Sequence, residues 1–309
     1  GGEKVMYFDF IGKRRLWFII ALCIIAFGVA FLIFKGLNFG IDFTGGTKLL
    51  LNLPGGFTTS QVRDVLAEVE ITDSSGRTLT LENSYIQQSI GAEGDEVILR
   101  TVPLTEDQRE ILLDAIAVQW PEFSDADIKN VENVGPVVGG ELLRNAMLSL
   151  LLASIGMIIY ISFRFELKFA LAALIPLLFD SFVVITSFSV FSLELNSPFV
   201  ASVLTIVGYS INNTIVIFDR VRENLRSNNS LKSLSATLNL SINQSMVRTI
   251  NTSVTTLITV GALLFAGGDT LRDFTLPLFI GIICGTFTSI FLASPIFYEL
   301  KMRENKGRA

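Results

Sequence analysis

Histidine is absent from this chain. That rules out a Ser-His-Asp or Cys-His nucleophile and any zinc site built on imidazole. The two cysteines, Cys23 and Cys284, lie far apart in apolar runs. They read as small buried hydrophobes rather than a disulfide or a metal pair. Charge is scarce: charged residues make up 17% of the chain against 50% hydrophobic ones, and the aromatics are dominated by 25 Phe. This balance suits a polytopic membrane protein better than a soluble enzyme. No metal site or cofactor is expected, nor a nucleic-acid partner. Gly1-Gly2 in place of a starting methionine reads as a processing scar.

The charge that is present is unevenly spread. The net charge is -5, and the stretch from Asp42 to Glu132 holds 17 Asp and Glu against six Lys and Arg. Basic residues gather instead beside long apolar runs. Lys13, Arg14 and Arg15 precede the first run, Leu16–Phe34, which is about a bilayer's length of helix. Five more runs follow at Leu142–Phe163, Phe169–Leu193, Phe199–Phe218, Thr249–Ala266 and Phe274–Phe297. Arg164 and Lys168, then Arg220, Arg222, Arg226 and Lys232, then Lys301, Arg303, Lys306 and Arg308 mark one side of the membrane. By the positive-inside rule both termini are expected in the cytoplasm.

Between the first two spans the pattern turns soluble. Strands are expected at Thr47–Leu53, Ser84–Ile90, Glu96–Val102 and Asp127–Val134, the middle two joined by a turn at Gly91–Gly94. Helices are expected at Thr59–Val69 and Thr105–Gln119, each with a polar start signal. The order β-α-β-β-α-β predicts a ferredoxin-like α+β domain outside the bilayer. The expected plan is an N-terminus and first span over 1–35, an extracytoplasmic domain over 36–140, a five-helix bundle over 141–298 and a basic cytoplasmic tail over 299–309.

Polar groups inside the spans are the candidates for function, because lipid makes them costly. Asp180 falls near the middle of the third span, in Leu-Phe-Asp-Ser-Phe. Asn212 and Asn213 fall in the fourth, beside Ser210 and Thr214. Arg248 opens a fifth span crowded with hydroxyls. A bundle that gathers Asp180, Arg248, Asn213 and Asn212 makes a polar track able to relay ions or protons. The structural alternative is that the amides glue helices together and Arg248 snorkels to the interface. Asp219, Arg220, Arg222 and Glu223 read as an interfacial charged cluster. Gly40, Asp42, Gly45 and Gly46, in Asn38–Gly46, read as a structural loop where backbones approach closely. Gly281, Gly285 and Ser289 form a small-residue face for helix packing. An intramembrane aspartyl protease is excluded, since Asp180 is the single mid-span acid and no Gly-x-Gly-Asp run occurs.

Three long motifs carry a resemblance: Asn38–Gly46, Gly208–Asn224 and Ser241–Leu257, with weaker support from Gly281–Pro295. With six spans and one large outer domain, the chain resembles the SecF branch of the SecD/SecF protein-export family, within the resistance-nodulation-division superfamily. The resemblance covers essentially the whole chain. It implies a multi-pass protein of the bacterial cytoplasmic membrane that pairs with SecD and assists the SecY-E-G channel and the SecA motor, with YajC as a further partner. Membrane lipid and the translocating polypeptide complete the expected contacts. The implied role is late-stage export of pre-proteins driven by proton flow. The family's relay uses an aspartate in a Ser-Ile-Asn-Asp-Thr run and an arginine matching Arg248. Here that aspartate position is Asn213, and Phe179 stands where the family commonly has histidine. The departures fit a lineage that uses another ion or relies on Asp180, an introduced change, or weakened coupling. An alternative within the superfamily is a half-transporter that exports small molecules or lipids.

Overall fold

A computed structural model describes residues 8–72, 78–91, 94–227 and 233–308. Lys232 and the turn residues Ala92 and Glu93 fall outside the described residues. The chain forms two compact units, residues 39–146 and residues 1–38 with 147–309.

In the first unit, β1 (Gly46–Asn52), α1 (Thr59–Glu68), β2 (Tyr85–Gly91), β3 (Gly94–Thr101), α2 (Glu106–Gln119) and β4 (Ile128–Val134) follow in that order. The four strands form one antiparallel sheet ordered β2-β3-β1-β4. Alternation along β1 sends Leu49 and Leu51 into the core while Lys48 and Leu50 point the other way. Val62 and Leu66 of α1 and Leu112 and Ile116 of α2 cover the apolar face. Both helices begin with a capping box, Thr58 with Gln61 and Thr105 with Gln108, so two backbone donors at each start are satisfied locally. A short ladder, Ile71–Thr72 with Thr78–Leu79, is an addition the sequence did not signal.

The loop before β1 is tighter than its composition suggests. Ile41–Thr44 winds into a single helical turn, with the Gly40 carbonyl accepting from Phe43 and Thr44. Asp42 sits in that turn. Gly45 has φ 72°, and a Cβ there would lie 2.8 Å from the Pro136 Cα. A Cβ on Gly46 (φ 144°) would meet the Thr101 carbonyl. Only glycine fits both positions without strain.

The second unit holds the membrane spans. Among the described residues, six helices are long and apolar enough to cross a bilayer: Arg14–Lys35, Pro136–Phe163, Leu167–Phe191, Ser197–Ser227, Leu234–Ala266 and Leu271–Arg303. The third, fourth and sixth bury 56%, 50% and 61% of their most apolar windows, against 11%, 6% and 22% for the first, second and fifth. The former three therefore form the centre. Two corrections follow. The fifth helix begins at Leu234, so Arg248 lies inside a 33-residue helix rather than opening it. Cys23 is exposed on the outer face of the first span, and both cysteines are free thiols.

The sixth span is not uniform. Ser289–Ala293 is a π-helical stretch between α-helical Asp269–Thr288 and Ser294–Arg308. Such a stretch carries one residue more than an α-turn and is often found at functional positions. The segment before the first span is tied down as well: Asn239 accepts from the backbone N–H groups of Phe10 and Ile11, and Asn243 brackets Phe8.

Candidate functional site

Asp180 occupies the centre of the bundle. It sits near the midpoint of the third span and is fully buried. Burying a carboxyl group among apolar helices is costly unless its oxygens are hydrogen-bonded. Here Ser210 Oγ of the fourth span donates to Oδ2 at 2.5 Å, and Thr288 Oγ1 of the sixth donates to Oδ1 at 2.8 Å. The Cys284 side chain of the sixth span lies close to it as well. Three spans thus converge on one acid.

The close approach depends on the small-residue face of the sixth span. A Cβ on Gly281 would overlap the Ile206 side chain, and one on Gly285 would stand 3.0 Å from Ser210 Cβ and 3.4 Å from Asp180 Oδ2. Glycine at these positions lets the fourth and sixth backbones approach until Ser210 and Thr288 both reach the acid. At the next position in the series, Ser289 exchanges a hydrogen bond with Thr214 at 2.9 Å and also donates to the Ser210 carbonyl. The π-helical stretch starts at this contact.

A second polar group lies alongside. Asn213 is buried, and its amide donates to Ser253 Oγ of the fifth span at 3.4 Å. Tyr209 and Thr286 also donate to Ser253, at 3.3 and 2.7 Å. One turn earlier on the fifth helix, the buried Thr249 Oγ1 has no hydrogen-bond partner among the described residues. Ser210 and Asn213 are three residues apart on one helix face, so the two clusters are neighbours.

Asn212 and Arg248 do not join them. Asn212 is exposed, because successive residues on a helix point about 100° apart and Asn213 takes the inward position. Arg248 is also exposed, beside the buried stripe of Ser245, Thr249 and Ser253 rather than on it. Of the four expected track residues, Asp180 and Asn213 lie in the interior, Asn212 and Arg248 on the outer surface of this chain. Thr288 and Cys284 were not legible as site residues, although the neighbouring Gly281, Gly285 and Ser289 already marked that face. The charged cluster lies near the end of the fourth span. Arg220 bonds Gln244 and Glu223, at 2.7 and 2.6 Å, and the Arg222 guanidinium lies over the Phe165 ring. Asp219 is exposed.

Comparison with known proteins gives a consistent picture. Two family models match: "Protein export membrane protein SecD/SecF, C-terminal" over residues 117–303 and "SecD/SecF GG Motif" over residues 30–53. The protein translocase subunit SecF of Sebaldella termitidis is 38% identical over 288 residues, covering 93% of this chain and 90% of the relative. The protein translocase subunit SecDF of Bacillus subtilis is 37% identical over 302 residues, covering 96% of this chain but 39% of the relative. A crystal structure of SecDF from Thermus thermophilus, described as a translocon-associated membrane protein, superposes with a TM-score of 0.83 at 34% identity. This chain is covered over 97% of its length and spans 40% of that one.

Proposed function

The chain belongs to the SecD/SecF family of protein-export membrane proteins, and from that premise we propose that it is the SecF-type half of an export unit that couples ion flow to late-stage pre-protein export. It is a multi-pass membrane protein and a protein translocase subunit rather than an enzyme. Its partner is a SecD-type chain, a reading supported by relatives in which a match to this chain makes up about two-fifths of a longer SecDF polypeptide. The unit works beside the SecY-E-G channel and the SecA motor at the bacterial cytoplasmic membrane, with both termini cytoplasmic. The β-α-β-β-α-β unit is then a ferredoxin-like domain on the extracytoplasmic side, where it meets emerging polypeptide.

The observation that carries the coupling role is the fully buried Asp180 held by hydroxyls from two other spans. A carboxyl group in a bundle interior can take up and release a proton, and its neighbours rearrange when it does. Ser210 and Thr288 hold Asp180, with Cys284 close by, while Asn213, Ser253 and Thr249 extend the polar interior toward the fifth span. Arg248, on the outer surface of that span, is placed to meet a group supplied by the partner. Gly40, Asp42, Gly45 and Gly46 fix the passage into the outer domain, and Asp219, Arg220, Arg222 and Glu223 anchor the end of the fourth span.

The test is pre-protein translocation into vesicles carrying this chain with a SecD-type partner, under a proton gradient, a sodium gradient or none. Stimulation by protons, lost in Asp180→Asn, is the expected result. Stimulation by sodium alone moves the role to the amide and hydroxyl groups. Indifference to both gradients overturns the coupling reading.

A further inference from the structure

A cleft of about 390 Å³ opens at the end of the bundle where the second span stops and the third begins. Arg222 and Arg226, one helical turn apart at the end of the fourth span, line one wall, and Lys301 of the last helix lines another. The single carboxylate in the lining is Glu166, which stands 3.6 Å from Lys301 Nζ. Phe169 and Phe297, stacked at 4.1 Å between centroids, form an apolar floor. At the rim, Phe163 is 94% exposed and Leu167 is exposed as well.

We propose that this cleft binds the headgroup of an anionic phospholipid. Lys301 is compensated by Glu166, and the exposed Arg226 adds positive charge beside Arg222, which favours an anion. Two guanidiniums on one helix face offer planar forks that match phosphate oxygens pairwise, which a lone ammonium cannot do. The Phe165 ring, 5.9 Å from the Arg222 guanidinium carbon, backs that group and restricts its swing. The carboxylate of Glu166 has a use as well: it can accept from the hydroxyls of a glycerol headgroup. The flanking features decide between a lipid and free phosphate. The cleft sits at the ends of membrane-spanning helices, and the uncovered Phe163 and Leu167 continue its rim along the face an acyl chain would follow. Free phosphate makes no use of that apolar rim.

The test uses the purified full-length chain in neutral detergent, with thermal unfolding followed as lipid is added. Phosphatidylglycerol should raise the melting midpoint saturably, while phosphatidylcholine with the same acyl chains and inorganic phosphate should not. Arg226→Gln should weaken the phosphatidylglycerol effect about tenfold in apparent affinity, the loss of one charge-assisted bond, with the lipid-free midpoint unchanged. Arg222→Gln should weaken it at least as much. Arg226 is exposed, so its variant decides the matter even if Arg222→Gln folds poorly. Equal effects of the two lipids, full affinity in Arg226→Gln, or displacement of the lipid by low-millimolar phosphate would each overturn the proposal.

Discussion

A carboxyl group at the centre of six apolar helices persists only if its neighbours are polar, and here they are all small. Asp180 accepts from the uncharged hydroxyls of Ser210 and Thr288. Hydroxyls rotate to donate or accept, so they tolerate either protonation state of the acid. Asp180→Asn should therefore preserve the fold at a cost of about 1–2 kcal/mol and abolish gradient-driven export. The measurements are thermal unfolding in detergent and pre-protein maturation, and normal maturation in the variant would remove Asp180 from the mechanism. Asn213→Asp puts a second acid next to this cluster, beside Ser253. Export by that variant should become more sensitive to the proton gradient, as read from its dependence on gradient size in vesicles. A neutral or harmful outcome would mean that the chain is built around the amide. The inward direction of Asp180 could be anticipated from cost alone, since lipid penalises a carboxyl group, but cost does not separate the buried Asn213 from the exposed Asn212 beside it. The outward direction of Arg248 is one of two readings the sequence allows, because a long side chain on a membrane helix satisfies itself in several ways.

Among the elements, the sixth span does most to position the acid. Its glycines replace side-chain volume with backbone proximity, and each has a defined neighbour. Gly281→Ala forces a methyl group against Ile206. The fourth and sixth helices should part slightly, with a loss of about 1–3 kcal/mol. A lowered melting midpoint together with weakened export would show that the approach of these two helices serves the acid as well as the fold. An unchanged midpoint would show that Ile206 yields freely. The elements of the α+β unit are legible in the sequence, because alternation and capping boxes are local signals: Thr58 with Gln61 and Thr105 with Gln108 stand where their sequences say. The fifth helix was cut short at Thr249 because its first turns, Leu234–Arg248, are too polar for a hydropathy window. They stay helical through tertiary contacts, such as Asn224 donating to Ser241 and to Gln244.

For the whole molecule, hydropathy revealed how many spans there are but not which ones are central. In water, burial and apolarity go together; in lipid the outer surface is as apolar as the core. Ile33, Phe163 and Phe265 are 75%, 94% and 85% exposed here, yet nothing in their residue type separates them from the buried Phe218 or Phe297. The first, second and fifth spans keep long uncovered apolar faces, and the proposed SecD-type partner would cover some of them. Co-expression with such a partner should yield a complex that survives detergent purification and raise the recovered amount of this chain several-fold. Recovery of the chain alone, in unchanged amount, would argue that lipid suffices.

The extra residue at Ser289–Ala293 acts as slack in an otherwise taut rod. Taken up, it would turn everything beyond it by about 100° against everything before it. Thr288, on one side, holds Asp180; Phe297 and Lys301, on the other, line the cleft at the bundle's end. A single helix therefore touches both the buried acid, through Thr288, and the basic cleft, through Lys301, with the π-helical stretch between them. A shift of that stretch would change together how Thr288 meets the acid and how the far end of the helix presents its charge.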